Sequence, residues 1–245
     1  MAVNITWLGH STFKIVTPEG KTILIDPWVE QNPACPESAR DLENVDILLC
    51  THGHYDHIGD AESIIQRFQP KVVAVFELCH WFEKFGAEHC RPMNLGGSIT
   101  LDGVNIAMVK AEHSSSILEP DGRLIYGGPA TGFVMEFSDG LVIYHAGDTA
   151  VFGDMEMIAD LYEPDVALLP IGGLFTMGPA EAAYACDLLR PRLVIPMHFG
   201  TFPALTGNPK ELEDAADELD FDLLVLKPGE PETIDVDDFA EEGGE

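Results

Sequence analysis

Three histidines and an aspartate crowd into Thr51-His52-Gly53-His54-Tyr55-Asp56-His57, directly after the apolar stretch at residues 45–50. Imidazole with some carboxylate suits borderline divalent cations such as zinc, and a neutral histidine binds them without giving up a proton. The pattern recurs further along. His113 follows the apolar run at 104–110, Asp148 follows 141–145, and His198 follows 193–196. In each case a strand-like segment hands a ligand-type residue to a loop, so the strand ends are expected to converge on one rim. His52 and His54 project to the same side of an extended chain and can reach one ion, while Asp56 and His57, past the turn, can address another. The expected arrangement is dinuclear: His52, His54 and His113 on the first metal, and Asp56, His57 and His198 on the second. Asp148 would bridge them with one oxygen on each.

The elements that must carry these residues are legible in outline. Residues 4–8, 12–17 and 22–26 are β-branched and apolar, broken by Gly9, Pro18-Glu19-Gly20 and Asp26-Pro27, and read as an antiparallel opening. A helix at 60–68 and a buried strand at 71–76 follow the histidine cluster. Further strands are expected at 104–110, 132–137, 141–145, 166–170, 193–196 and 223–226. The alanine-rich segment 179–189 reads as a helix, with Gly178 before it, Pro179 at its first position and Glu181 in its first turn. No solenoid repeat or low-complexity linker interrupts the chain, so residues 1–245 are read as a single domain, with an acidic tail expected to fray after about 232.

Composition narrows the partners. Forty-two acids against 13 bases give a net charge of −29, which disfavours nucleic acid and anionic membranes and leaves a small-molecule substrate. The five cysteines show no paired spacing and are read as free thiols, Cys50 as a buried wall residue. The first residues lack a basic-then-apolar leader, so a cytoplasmic location is expected. A homo-oligomer is left open.

His-x-His-x-Asp-His, then a histidine, a Gly-Asp and a late histidine, together resemble the metallo-β-lactamase superfamily from Trp7 to Gly200. Trp7-Leu8-Gly9-His10-Ser11-Thr12, Ala146-Gly147-Asp148-Thr149 and Pro196-Met197-His198-Phe199-Gly200 are similar to its branch of metal-dependent hydrolases related to ascorbate-6-phosphate lactonase. The resemblance implies an α/β fold, a four-layer αβ/βα sandwich with a dinuclear site at one edge of the sheets. His54 stands where flavodiiron reductases have glutamate, and Asp148 stands at the step where class B β-lactamases have cysteine. Both differences favour zinc-type hydrolysis other than lactam opening. Two divalent ions are expected, zinc first, with manganese or iron as alternatives. A metal-bridging hydroxide would attack a small ester-like substrate, a lactone or a phosphodiester. Asp56 and His10 are the candidate catalytic residues, and His145 is read as a packed or supporting histidine. The competing readings are a metal-dependent ribonuclease or phosphodiesterase, and a non-catalytic metal-binding protein of the same fold.

Overall fold

Runs of Val, Ile and Leu bounded by glycine, proline and aspartate sort this chain into short strands, because β-branched side chains pack well on a pleated surface and turn residues end each run. The computed structural model describes residues 2–216 and 220–239. Its strands are β1 (Val3–Trp7), β2 (Phe13–Val16), β3 (Thr22–Ile25), β4 (Ile47–Leu49), β5 (Lys71–Val75), β6 (Cys90–Met93), β7 (Ser98–Leu101) and β8 (Val104–Lys110). They continue with β9 (Ser116–Leu118), β10 (Leu124–Tyr126), β11 (Thr131–Glu136), β12 (Val142–His145), β13 (Val166–Pro170), β14 (Leu193–Met197), β15 (Asp222–Leu223) and β16 (Pro231–Ile234). The α-helices are α1 (Tyr55–Ile58), α2 (Ala61–Phe68), α3 (Phe76–Phe82), α4 (Met155–Tyr162), α5 (Pro179–Leu189) and α6 (Pro209–Ala215).

Among the described residues, two seven-stranded sheets form, ordered β16-β1-β2-β3-β4-β5-β6 and β15-β14-β13-β12-β11-β8-β7, with β9 and β10 as a separate hairpin. Each sheet is half antiparallel and half parallel. In the first, β1, β2 and β3 pair antiparallel and β3 to β6 parallel. In the second, β7, β8, β11 and β12 pair antiparallel and β12 to β15 parallel.

Period-two alternation decides which side chains meet. Ile106, Met108, Phe133, Met135, Ile143, Leu168 and Ile195 of the second sheet join the core shared with the first. Their neighbours Ala107, Val134, Tyr144, Ala167, Leu169 and Val194 face the other way, against Ile158 of α4, Ala182, Ala185 and Leu189 of α5, and Leu212 of α6. On the first sheet, Ile64 and Ile65 of α2 and Leu78 and Phe82 of α3 pack on the core. Helix, sheet, sheet and helix make the four layers of the sandwich. α5 occupies the span expected for it, and the Glu181 carboxylate accepts the Gly178 N–H at 3.0 Å.

Two expectations need correction. As far as residue 239 the tail does not fray: Pro231–Ile234 pairs antiparallel with β1, with Ile234 buried opposite Val3, and a turn of 3₁₀ helix runs over Val236–Phe239, while residues 240–245 lie outside the described residues. One buried isoleucine in register outweighs the acidity around it, since Glu232 and its charged neighbours remain at the surface. The strand expected at 223–226 is reduced to Asp222–Leu223. Among the described residues no helix is long and apolar enough to cross a membrane.

Candidate metal centre

Strands from both sheets end at one rim. β4 leads to His52, β8 to His113, β12 to Asp148 and β14 to His198, so the chain reaches the site at the carboxyl ends of strands, where backbone groups fan apart and loops take over. The seven expected ligands and His10 fall into three overlapping clusters whose donor atoms lie within 4.8 Å of one another: His52, His54 and His113; His10, Asp56, His57 and His198; and His52, His57 and Asp148.

Asp148 occupies the centre. Its Oδ2 lies 3.2 Å from His57 Nε2, 3.1 Å from His198 Nε2, 3.7 Å from His113 Nε2 and 4.0 Å from His52 Nε2. Oδ2 is thus the oxygen that faces imidazoles of both halves, while Oδ1 accepts the Ser11 hydroxyl at 3.5 Å. The turn that presents it requires glycine. Gly147 has φ +63°, and a Cβ there would sit 2.6 Å from the Thr131 carbonyl oxygen.

Asp26, in the Asp-Pro step after β3, orients two of the histidines, a role that the sequence reading had not given it. Its Oδ2 accepts His57 Nδ1–H at 2.7 Å and the Thr51 hydroxyl at 2.7 Å, and Oδ1 accepts the Thr51 N–H at 2.8 Å. Since the Thr51 proton goes to Asp26, Thr51 Oγ1 accepts from His52 Nδ1 at 3.0 Å. Both Nδ1 atoms are then protonated, and both Nε2 atoms face the cluster, the position from which a neutral imidazole would bind a metal. The sequence signal was a buried-strand aspartate before proline, but its partners lie 25 and 31 residues away.

His10 and His145 are fully buried, and they do different things. His10 Nε2 donates to Asp56 Oδ2 at 3.0 Å, and its Nδ1 lies 3.1 Å from the Thr201 hydroxyl. Its backbone carbonyl accepts His198 N–H at 3.0 Å, and both residues adopt the left-handed conformation, at φ 57° and 55°. His145 Nδ1 accepts the Gly147 N–H and its Nε2 donates to the Ser11 carbonyl, each at 3.1 Å, so it braces the Asp148 turn from behind. His80 and His89 are exposed and belong to none of the three clusters. Ser115 Oγ accepts Gly53 N–H at 3.2 Å, and Ser114 Oγ lies 3.5 Å from His54 Nε2.

The electrostatics follow from burial and from this crowding. Burial lowers His52 well below the ordinary histidine value, assisted by His57, and lowers His54 and His113 as well. Burial pushes His10 down to about 4, so it is neutral when it donates to Asp56. Burial alone would lower His57 and raise the carboxyls, but their neighbours reverse each: Asp148 and Asp26 lift His57 well above its usual value, His198 and His57 depress Asp148, and the His10 hydrogen bond, with the charge of His57, depresses Asp56. The result is an ionised, acceptor-rich centre.

The donor set fits divalent cations. His57 Nε2 and both nitrogens of His198 are buried without a hydrogen-bond partner, and such atoms are costly unless something binds them. His52 Nε2 and His54 Nδ1 lie 3.0 Å apart, two acceptor nitrogens converging as ligands of one ion do. A hollow of about 800 Å³ between the second sheet and α4 is lined by none of these residues.

The family described as "Beta-lactamase superfamily domain" matches residues 4–198. This chain belongs to the metallo-β-lactamase superfamily. It is 50% identical over 228 residues to a UPF0173 metal-dependent hydrolase of Koribacter versatilis, covering 93% of this chain and 97% of that one. It is 44% identical over 230 residues to a UPF0173 metal-dependent hydrolase of Methanopyrus kandleri, covering 93% and 98%. Among solved structures it is similar to Igni18, a metallo hydrolase of Ignicoccus hospitalis, with a TM-score of 0.82, 36% identity and coverage of 96% and 99%.

Proposed function

We propose that this chain, a metal-dependent hydrolase of the metallo-β-lactamase fold, holds two divalent ions and hydrolyses a small ester-like substrate, a lactone ahead of a phosphodiester. The observation that carries the reading is Asp148 Oδ2 standing within 4.0 Å of imidazole nitrogens from both halves of the cluster. His52, His54 and His113 would hold one ion, Asp56, His57 and His198 the other, with Asp148 shared. The nitrogen-rich donor set favours zinc over manganese or iron. Bound there, the ions would acidify water toward neutrality and polarise the oxygen of the scissile bond.

The chain's own residues supply position and charge. Asp56, part exposed at the mouth, is held ionised by the His10 hydrogen bond and so accepts a hydrogen bond from water without storing its proton. His10 is wholly buried and touches Asp56, not the mouth, which makes it a positioning residue. Basic residues are sparse, 13 Lys and Arg against 42 acids, which is why a neutral ester or lactone is preferred over a phosphodiester.

Metal analysis of zinc-reconstituted protein, paired with ester, lactone and phosphodiester panels and a His52→Ala control, tests the reading. About two ions per chain with lactone or ester turnover lost in His52→Ala is expected. Full activity with one ion would overturn the dinuclear assignment. Two ions with no turnover on any panel would make this a non-catalytic metal protein.

A further inference from the structure

A cleft of about 100 Å³ adjoins the ligand loop, lined by Gly53, Tyr55, Ile58, Trp81, Ile117 and Leu118. Gly53 lies between the ligand-type residues His52 and His54, and Tyr55 lies between His54 and Asp56, so the cleft and the metal centre share one stretch of backbone. His54 and Asp56, the neighbours of Tyr55 in the chain, are themselves part exposed.

The cleft is built, not incidental. Ile58 and Ile117 are buried and form its floor. A Cβ on Gly53 would come within 2.9 Å of Ile117 Cγ1, so glycine is what lets the hairpin seat against the ligand loop. Tyr55 is fixed by its hydroxyl on Gln31 and by edge contact with Trp28 at 6.3 Å. The Trp81 indole N–H is tied to Glu119 Oε1 at 3.0 Å. Leu118 stands in the wall at 61% exposure, an apolar side chain left facing solvent beside a polar site.

Charge and size define the occupant. No Lys or Arg lines the cleft, and the one charged residue on its edge, Glu62, repels anions. The nearby Lys84 is engaged by Glu119 at 3.6 Å. A dry apolar cavity of about 150 Å³ holds benzene, so two thirds of that volume accommodates about four carbons. We infer that this cleft is the subsite for a short apolar substituent, about four carbons long, on an uncharged ester or lactone substrate. The inference rests on the hydrolase reading above and specifies its substrate class.

The test uses zinc-loaded protein and para-nitrophenyl esters with acyl chains of increasing length. In the wild type, kcat/KM is expected to rise about fourfold per methylene to about four carbons and then level off. Leu118→Asp, at an exposed position, should fold normally and flatten the rise. A flat series in the wild type, or an unchanged slope in Leu118→Asp, overturns the inference and leaves the hydrolase reading standing. If metal-loaded protein turns over no para-nitrophenyl ester, the ester reading of the substrate fails, and binding of n-alkanols followed by tryptophan fluorescence decides the cleft. Affinity that strengthens with chain length and loses its signal in Trp81→Phe supports the subsite. Affinity independent of chain length, or a signal that survives in Trp81→Phe, overturns it.

Discussion

Around Asp56 and His57 the side chains are held by partners from distant parts of the chain, Asp26 on His57 at 2.7 Å and His10 on Asp56 at 3.0 Å, and the His198 backbone N–H is tied to the His10 carbonyl at 3.0 Å. Around His54 and His113 there is much less. Both rings are part exposed, and His54 Nε2 has only the Ser114 hydroxyl at 3.5 Å. The inner half is fixed before anything binds, whereas the outer half can adjust, which is a useful division where one side of a site must hold its geometry and the other must admit substrate. His52 belongs to the outer cluster but is braced through Thr51 by the same Asp26, so that single carboxylate ties the two halves together.

The strongest way to break this contrast is to remove what the halves share. Asp148→Ala should abolish uptake at both positions and lower hydrolysis by at least about a thousandfold, since metal assistance supplies several kcal/mol of transition-state stabilisation. Metal content and kcat/KM measured together check it, and one ion retained with substantial activity would show that the halves are independent. Next in size, Asp26→Asn should weaken metal affinity by about 10- to 100-fold, the range for partners that orient ligands, while Ser114→Ala in the outer half should change it by less than about threefold. Chelator competition compares the two, and equal losses would erase the difference between the halves.

The smallest effect concerns acid stability of the metal-free protein. His10, lowered to about 4, and His145, lowered by burial, take up protons more readily in the unfolded chain. Their contribution is whole above about pH 6.5 and is lost as pH falls from there toward the folded values. His57, raised by Asp148 and Asp26, has the opposite sign: its contribution is whole at low pH and disappears as pH rises through its folded value. His145→Gln should flatten the acid-side slope by at most about 1.4 kcal/mol per pH unit in urea unfolding. An unchanged slope would mean that burial of His145 is not a source of the acid sensitivity.

Where the sequence could be read, local pattern and local structure agree. The strand at Val104–Lys110, the strand at Val166–Pro170 and the helix at Pro179–Leu189 lie where apolar periodicity and helix punctuation put them, because burial and capping are satisfied within each segment. The β9–β10 hairpin and edge strand β16 went unread, since Leu118, Leu124 and Tyr126 are exposed and Pro231–Ile234 carries only one buried residue.

The amino-acid sequence alone determined the inventory: which residue types could bind a metal, that each follows an apolar strand, and the superfamily that this order resembles. The tertiary structure alone decided how they act together. Asp26 meets His57 across 31 positions, and His10 meets Thr201 across 191. That Asp148 turns one oxygen toward four imidazoles depends on where four strand ends stop relative to one another. No local spacing encodes such distances, because they are set by how two sheets pack through a shared core.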